Sequence, residues 1–286
     1  MSEFQPTKIS IIKKIWAEEG LTLKKSLSQN FLIDQNVVER ILVAANICKD
    51  DTVLEIGPGS GALTASMLAR GATVYAIEID PIAIKILSKY LGHEKQLHLI
   101  NNDVLKVDFS FLPVGTKIVS NLPYHITSPI IAKIAQSHLL FTEVVLMVQK
   151  EMAERILAKA PSKNRSSFTI FTSFYFEKKS LFNVKPCCFT PAPKVDSVII
   201  SLKPKHVLPL EDTESFISFV RTAFSQKRKM LTSVLKNIMV KESLNTLGLN
   251  EKARPEDLRT EDFIELYNLT SSLWNEQKNK DDSDKS

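Results

Sequence analysis

The fold of this chain is decided by one stretch, Val53-Leu-Glu-Ile-Gly-Pro-Gly-Ser-Gly-Ala-Leu-Thr64. Its apolar start predicts a buried parallel strand, and the apolar pattern that resumes at Leu63 predicts a helix. The glycines between them allow a sharp turn and a close approach of the backbone to a ligand. A strand, a glycine turn and a helix N-terminus are together typical of a nucleotide-binding edge, although a tight turn without a ligand has the same pattern.

Two kinds of ligand fit this stretch. Gly57, Gly59 and Ala62 match the relaxed dinucleotide fingerprint, which has an acidic residue about twenty positions later, here Glu78. A site for S-adenosylmethionine needs less room than a pyrophosphate, and it typically carries an acid before the glycines, as Glu55 is here. An acid after the second strand suits both ligands, because its carboxylate accepts from both ribose hydroxyls. The glycine stretch alone leaves both ligands open.

Length and composition indicate a globular protein with two domains. The chain has 286 residues, of which 44% are hydrophobic and 24% charged, enough for a large α/β domain and a smaller one. It has no apolar run of membrane-spanning length, and its N-terminus lacks the apolar core and the cleavage site typical of a signal peptide, so we expect a cytoplasmic protein without a membrane partner. The three cysteines lack metal-ligand spacing and do not suit a disulfide framework. The net charge of +5 permits a polyanionic partner.

Strand and helix patterns alternate from residue 52 to residue 149. Strands are predicted over 52–56, 73–78, 97–100, 117–120 and 143–148, with helices at about 62–70, 82–90 and 127–137. This alternation predicts a doubly wound parallel sheet, which binds ligands at the carboxyl ends of its strands. The polar or glycine residues at four consecutive strand ends are Glu55, Gly57, Glu78, Asp80, Asn102, Asp103 and Asn121. We therefore expect one shared site at this edge.

The flanking segments predict further elements. Ile9, Ile12, Ile15 and Trp16 have helical spacing, which predicts a short helix packed on the body of the protein, and Asp34 could cap the next helix. A helix is expected over 150–160, strands over 169–176 and 195–202, and only helices after Pro204. The predicted organisation is an N-terminal extension over 1–25, a sheet domain over 26–204, a helical domain over 205–274 and a disordered tail over 275–286.

Basic residues cluster at two places in the sequence. One is Lys24 and Lys25 near the N-terminus, and the other is Arg221 with Lys227, Arg228 and Lys229 in the predicted helical domain. Either cluster could be a solvated surface. The second cluster carries more charge than a helix needs for solubility, so we favour contact with phosphates there.

The stretch Asn121-Leu122-Pro123-Tyr124 follows the fourth predicted strand and indicates the chemistry. An amine that is to be methylated is held best by two acceptors, which aim its lone pair at the methyl donor. The Asn121 side-chain oxygen and the carbonyl of Leu122 or Pro123 can be those acceptors, and Tyr124 offers a ring for base stacking. Catalysis would then rest on positioning and desolvation, without a base in principle. The alternative is an ordinary turn.

The sequence resembles the small-subunit ribosomal RNA adenine dimethyltransferases over about residues 24–274. The resemblance rests on the stretches Gln29–Leu32, Glu55–Gly61, Asn121–Tyr124 and Phe189–Ser197, together with Glu78 and Asp103. It implies a Rossmann-like, S-adenosylmethionine-dependent methyltransferase sheet with a small C-terminal all-helical domain. The implied reaction transfers four methyl groups, two to N6 of each of two adjacent adenosines near the 3′ end of small-subunit (16S) ribosomal RNA.

The resemblance also implies which residues hold the cofactor. Asn30 and Leu32 would contact the methionine and ribose side of S-adenosylmethionine, and Gly57 and Gly59 would lie against it. Glu78 would bind the ribose hydroxyls. The remaining cofactor contacts would come from Asp103, on the adenine amino group, and from Asn121, which would bridge cofactor and target.

The target and the RNA would be held by other residues. Tyr124 and Phe189 would sandwich the target adenine, which must leave any base stack to reach them. The RNA-binding residues would be Lys24, Lys25, Arg221, Lys227, Arg228 and Lys229. The expected partner is the assembling small subunit, and the expected state is a monomer. The departures from the family pattern are Ser28, His125 and Ala192, none of which removes a contacting group.

Three other functions stay open. The first is a large-subunit RNA adenine methyltransferase of the antibiotic-resistance type, which Leu122 and the N-terminal extension disfavour. The second is a non-catalytic nucleic-acid-binding factor on the same scaffold, which the intact stretch Asn121–Tyr124 disfavours. The third is a dinucleotide oxidoreductase, although no part of the sequence resembles a hydride-transfer site.

Overall fold

The chain forms two compact units in this computed structural model. The structure describes residues 4–20, 30–206, 210, 212–226, 228–236 and 239–283. We name the units the sheet unit, Met1–Ala153 with Phe176–His206, and the helical unit, Glu154–Tyr175 with Val207–Ser286. Residues 154–175 therefore belong to the helical unit, whereas the sequence pattern assigned them to the sheet domain. Five residues singled out in the sequence lie outside the described part, namely Lys24, Lys25, Ser28, Gln29 and Lys227.

The helices and strands follow one another along the chain with few long connections. In order they are α1 (Ile9–Glu19), β1 (Phe31–Leu32), α2 (Gln35–Ala44), β2 (Thr52–Ile56), α3 (Ala62–Ala69), β3 (Thr73–Glu78), α4 (Pro81–Leu91), β4 (Leu97–Asn101), β5 (Thr116–Asn121), α5 (Thr127–Gln136), β6 (Phe141–Gln149), α6 (Lys150–Leu157), α7 (Ser167–Tyr175), β7 (Phe176–Val184), β8 (Phe189–Thr190), β9 (Ser197–Pro204), α8 (Thr213–Ala223), α9 (Leu231–Val234), α10 (Val240–Thr246) and α11 (Thr260–Ser283). No helix within the described ranges is long and apolar enough to cross a membrane.

Seven of the described strands form one sheet of order β4-β3-β2-β5-β6-β9-β7, and β1 and β8 form a separate pair. Strands β2 to β6 are parallel, as the sequence predicts. Strand β9 is antiparallel to β6, and β7 is antiparallel to β9, so two antiparallel strands extend the parallel sheet that the sequence predicts for residues 52–149. Antiparallel neighbours need no crossover α-helix, and the connection between β7 and β9 contains a short 3-10 helix and the strand β8, which pairs with β1.

Capping residues set the start of two helices beside the sheet. The Asp34 side chain accepts from the N–H groups of Asn36 and Val37 at the start of α2, which confirms the predicted cap. Asp80 caps α4 in the same way, and Pro81 follows at the first helical position, where its missing N–H costs nothing. Helix α3 instead begins after Gly61, whose φ of 80° is left-handed.

Helix α1 belongs to the core of the sheet unit. Ile12, Ile15 and Trp16 are buried in the same hydrophobic cluster as residues of α2, α3 and α4. The predicted helix at the N-terminus is therefore present, and its apolar stripe packs on the body as expected. Ile9, at the start of the same stripe, is partly exposed.

Helix α7 occupies most of a segment that the sequence predicts as a strand, 169–176. Its β-branched and aromatic residues have high strand propensity. Ile170 and Phe174, four residues apart, instead bury one face in the core of the helical unit. The Thr172 and Ser173 hydroxyls donate to carbonyls one turn earlier, 3.0 and 2.8 Å away. Burial thus overrides local propensity, and the strand begins only at Phe176.

The helical unit has an aromatic core. Tyr267 and Trp274 of α11 pack edge-on against Phe219 of α8, with ring centroids 5.6 and 5.5 Å away. Helix α11 continues to Ser283, although the composition predicts disorder from residue 275. The polar residues of this segment include Glu, Gln and Lys, which have high helix propensity and extend a helix that Trp274 already anchors.

We predict that Gly61→Ala destabilises the protein more than Gly20→Ala does. Both glycines have left-handed φ, of 80° and 71°, so both substitutions carry a backbone cost of about 1 kcal/mol. An added Cβ at Gly61 would lie 2.6 Å from Leu87 Cδ2 in the buried core, whereas one at Gly20 would have no atom of the described residues within 4 Å. We expect a further loss of about 1–3 kcal/mol for Gly61→Ala from overpacking. Denaturant unfolding measures both, and equal losses would contradict the prediction.

Candidate active site

The carboxyl ends of four parallel strands meet at one cavity of the sheet unit. Its volume is about 280 Å³, and its wall combines polar atoms with a mainly apolar surface. Most residues predicted for the site lie in this wall: Asn30, Leu32, Glu55, Gly57, Gly59, Glu78, Asp103, Asn121, Leu122, Pro123 and Tyr124. The structure thus brings together residues that are up to ninety-four positions apart in sequence, from Asn30 to Tyr124.

The glycine turn after β2 is contacted by two other residues of the cavity wall, Glu78 and Phe31. The Gly59 N–H donates to the Glu78 carboxylate at 3.2 Å, which links the turn to the end of β3. The Phe31 ring covers the other side of Gly59, because a Cβ there would lie 2.8 Å from a ring carbon. Gly59 also has a φ of 55°, so both the space and the backbone require glycine at this position.

Glu78 presents a buried carboxylate to the cavity. One oxygen accepts from Gly59 N–H, and the other accepts from Asp80 N–H at 2.9 Å. Burial raises the pKa of Glu78, although these backbone donors oppose the shift. Each carboxylate oxygen keeps a further lone pair, so the group can still accept two hydroxyl donors from a ligand.

Glu55, the residue before the last of β2, lines the cavity close to the glycine turn. It is buried, and the Thr64 hydroxyl donates to its carboxylate at 2.6 Å. Burial raises the pKa of Glu55 to about 8, and the neighbouring charge of Glu78 adds to this effect. Near neutral pH this carboxyl therefore takes up a proton easily, and it adds little negative charge to the site.

The stretch from Asn121 to Tyr124 is held on both sides. The Asn121 side-chain NH₂ donates to the Asn30 carbonyl at 2.9 Å, which fixes the plane of the amide and leaves its oxygen directed elsewhere. The Leu122 N–H donates to the Met147 carbonyl of β6 at 3.3 Å. The Thr127 hydroxyl lies 3.2 Å from the Pro123 carbonyl and can donate to it.

Tyr124 is fixed by Ser197, a residue to which the sequence gives no role of its own. The two hydroxyl oxygens are 2.9 Å apart, and Ser197 is buried in β9 between β6 and β7. Burial raises the pKa of the Tyr124 phenol. The only signal in the sequence is the position of Ser197 at the end of the stretch Phe189–Ser197, since the contact joins residues seventy-three positions apart.

Phe189 lies in the core and not in the cavity wall of the described chain. It is 3% exposed, and its backbone pairs with Leu32 in the short β1–β8 ladder. The predicted stacking of its ring on the target adenine stays a prediction. Pairing with β1 directs the ring into the hydrophobic cluster of the sheet unit instead of presenting it from a loop.

Three of the predicted RNA-binding residues are described and all lie on the surface of the helical unit. Arg221 is in the last turn of α8, and Arg228 and Lys229 follow in the connection to α9. Their side chains are exposed. This location is consistent with contact to phosphates and equally with a solvated surface.

Comparison with known proteins places the chain in a family. The sequence model for the family described as ribosomal RNA adenine dimethylase matches residues 20–272. The chain belongs to this family. It is 41% identical over 259 residues to the ribosomal RNA small subunit methyltransferase A of Protochlamydia amoebophila, which covers 87% of this chain and 91% of that relative. It is 37% identical over 273 residues to the protein of the same name from Clostridium perfringens, with 92% and 96% covered.

Solved structures give the same result. A dimethyladenosine transferase from Plasmodium falciparum matches with a TM-score of 0.75 at 30% identity, covering 84% of this chain and 98% of that chain. The 23S rRNA methyltransferase ErmE matches with a TM-score of 0.69 at 27% identity, covering 85% and 100%. These findings confirm the predicted family, the Rossmann-like methyltransferase fold, the enzyme class and the cofactor S-adenosylmethionine. They disfavour a dinucleotide oxidoreductase.

We predict that Glu55→Gln makes the stability of the protein less dependent on pH. The folded-state pKa is raised to about 8 from an unfolded value near 4.5, so the folded state binds the extra proton. The stabilisation from this group is fully present below about pH 4.5 and is lost as the pH rises through about 8. Glutamine stays neutral at both pH values. Between pH 5 and pH 8.5 the variant should therefore lose less free energy of unfolding than the wild type, by on the order of a few kcal/mol.

The measurement is denaturant unfolding of both proteins at the two pH values. Glu151→Gln, an exposed change on α6, controls for the loss of one charge. The Glu78 pKa is also raised, so we expect a smaller slope and not a flat profile. An unchanged slope in Glu55→Gln would contradict the assignment.

Proposed function

We propose that this protein dimethylates N6 of two adjacent adenosines near the 3′ end of small-subunit (16S) ribosomal RNA, and that the methyl groups come from S-adenosylmethionine. The observation that carries the proposal is the Asn121 amide, which is anchored at the mouth of the glycine-turn cavity by its NH₂ group. The two small-subunit methyltransferases at 41% and 37% identity support the choice of RNA.

The donor set of the cavity suits S-adenosylmethionine. Glu78 offers two carboxylate oxygens to the ribose hydroxyls, and both oxygens are held by backbone N–H groups. Asp103 places a second carboxylate in the wall, where it can accept from the adenine amino group, and Asn30 and Leu32 close the methionine side. When it is bound, S-adenosylmethionine supplies an activated methyl group.

Asn121 and Leu122 would hold the target amine. Because the Asn121 NH₂ group is committed to Asn30, its side-chain oxygen is the atom available to accept from N6–H. The Pro123 carbonyl already has two donors, Thr127 Oγ1 and Ile126 N–H, at 3.2 and 3.3 Å. We therefore favour the Leu122 carbonyl as the second acceptor. Two fixed acceptors aim the nitrogen lone pair and lower the entropy cost of reaction.

Tyr124 would stack on the target adenine. Its ring lines the cavity, and the contact with Ser197 fixes its phenol on a rigid strand. A flat base that has left its stack regains stacking energy against such a ring. The apolar part of the wall excludes water from the reacting nitrogen.

The helical unit would bind ribosomal RNA through its basic surface. Arg221, Arg228 and Lys229 are exposed cations close together in sequence, and Lys227 completes the run. Such residues contribute affinity through phosphate contacts without reading base sequence. We propose that the protein acts as a monomer in the cytoplasm on an assembling small subunit.

The large-subunit resistance type is the nearest alternative. The solved structure of the 23S rRNA methyltransferase ErmE shares 27% identity with this chain, less than the two small-subunit relatives do. A non-catalytic factor on this scaffold would not need the anchored Asn121 amide. Neither alternative is favoured by a feature of this cavity.

Labelled methyl transfer to undermethylated small subunits tests the proposal. Large-subunit RNA runs in parallel, and the products are digested to nucleosides. Dimethyladenosine from the small subunit alone is the expected result. Label in large-subunit RNA would support the resistance type, and absence of label with intact RNA binding would support a non-catalytic factor.

We predict that Asn121→Ala abolishes transfer and largely spares RNA binding. The substitution removes both the anchor to Asn30 and the acceptor for the amine, so turnover should fall about a hundredfold or more. The surface variant Asn36→Ala, which keeps the cavity intact, is the control. Turnover near the wild-type rate in Asn121→Ala would refute the positioning role.

We predict that reversing the charges of Arg228 and Lys229 weakens RNA binding and flattens its salt dependence. Each phosphate contact that is lost should lower the slope of log K against log salt by about one. Reversal of Lys49 and Lys95, two exposed lysines of the sheet unit, changes the net charge equally and is the control. The same slope in both double variants would mean that the basic run is only a solvated surface.

A further inference from the structure

Helix α1 lies before the segment that matches the family model, which begins at residue 20. It nevertheless packs into the same core as the cofactor-side helices, with Ile12 and Trp16 buried. Two aromatic side chains of the N-terminal segment lie close to the glycine turn. Trp16 packs against Phe31, which covers Gly59, and Phe4 lies beside Gly61.

The first contact passes through Phe31. The rings of Trp16 and Phe31 lie 4.6 Å apart between centroids, and Phe31 is 6% exposed. Phe31 is also part of the cavity wall and covers Gly59, 2.8 Å from the position of a Cβ there. Trp16 is not among the residues that line the cavity, so it packs on Phe31 as a second layer. The contact continues from Gly59 to Glu78 through the 3.2 Å hydrogen bond.

The second contact comes from Phe4. Its ring stacks on Tyr90 of α4, with centroids 5.1 Å apart, and lies 3.4 Å from the position of a Cβ on Gly61. The N-terminal segment therefore lies next to Gly61 directly and reaches Gly59 through Phe31. A side chain at Gly61 would be excluded by Leu87, 2.6 Å from the position of its Cβ, and by the backbone conformation, whereas Phe4 lies at ordinary contact distance.

Ion pairs hold the far end of α1 in place. The Glu19 carboxylate pairs with Lys85 at 3.0 Å and also with Lys89, both on α4. The Glu19 side chain is 8% exposed although both lysines reach into solvent. Hydrogen bonds from Lys89 and Lys85, together with the charges of both lysines, lower the pKa of Glu19. With its end fixed to α4, α1 can act as a rigid support for Trp16.

We propose that Trp16 is a positioning residue for S-adenosylmethionine binding, acting through Phe31 on the glycine turn. This rests on the cofactor site described above and not on the choice of RNA. A preformed turn keeps Gly59 N–H and Glu78 in the geometry that the cofactor needs, so no ordering cost arises on binding. Loss of the Trp16 ring releases Phe31 into the space behind it, and the turn must then be ordered by the cofactor. The effect falls on cofactor affinity and not on the transfer step.

The test compares three variants of the full chain by calorimetric titration with S-adenosylmethionine. Trp16→Ala should raise the Kd about tenfold, while Trp16→Phe, which keeps a ring, should stay within about twofold of wild type. Ile12→Ala, in the same helix and fully buried, should lose comparable stability in thermal unfolding and keep the wild-type Kd. At saturating cofactor, Trp16→Ala should keep the wild-type kcat with undermethylated small subunits.

A fluorescence titration provides a second measurement that does not depend on Trp16→Ala folding. The chain has two tryptophans, Trp16 and Trp274, so Trp274→Phe leaves Trp16 as the single reporter. S-adenosylmethionine should change its emission with the Kd found by calorimetry, because Phe31 connects the indole to the cavity wall.

Two results would overturn the proposal. One is a Kd in Ile12→Ala as weak as in Trp16→Ala, which would mean general destabilisation. The other is a wild-type Kd in Trp16→Ala, or Trp16 emission that does not respond to the cofactor. Cofactor binding by wild type without methylation of small subunits would refute the proposed RNA substrate and leave the role of Trp16 standing.

Discussion

The hydrogen bond from Gly59 N–H to the Glu78 carboxylate ties the glycine turn to the neighbouring strand. Parallel pairing of β2 with β3 already brings Ile56 level with Ile77, and the Gly57 N–H continues the ladder to the Ile77 carbonyl. The next residues of both strands therefore meet at one edge. A buried carboxylate is costly without donors, and the turn supplies one of them. Buried carboxylates with a shifted pKa are common at functional sites, and the Glu78 carboxylate lines the cavity.

Local patterns were sufficient for the parallel half of the sheet. Strands β2 and β3 begin and end where the sequence predicts, because each is a short apolar run bounded by glycine or polar residues. The convergence of Glu78, Asp103 and Asn121 also follows from the sequence, since strands of equal direction end at the same edge. No knowledge of side-chain contacts is needed for either inference.

Contacts between distant segments could not be predicted in this way. Phe189 enters the core because its backbone pairs with Leu32, more than one hundred and fifty residues away, and neither residue carries a local sign of that pairing. Segment 169–176 has strand propensity and becomes helical because Ile170 and Phe174 find a helical core. The contact of Ser197 with Tyr124 is of the same kind. In each case the partner, and not the residue, decides the outcome.

The division of the chain has a consequence for the evolution of the two units. The backbone passes between them three times, after Ala153, Tyr175 and His206. A gene fragment that ends at His206 would keep α7 without the rest of its core and would expose Ile170 and Phe174. Recombination at one junction therefore cannot transplant the helical unit onto another methyltransferase sheet. Inheritance of the two units is therefore coupled, and the helical unit is expected to change by substitution instead of by module exchange.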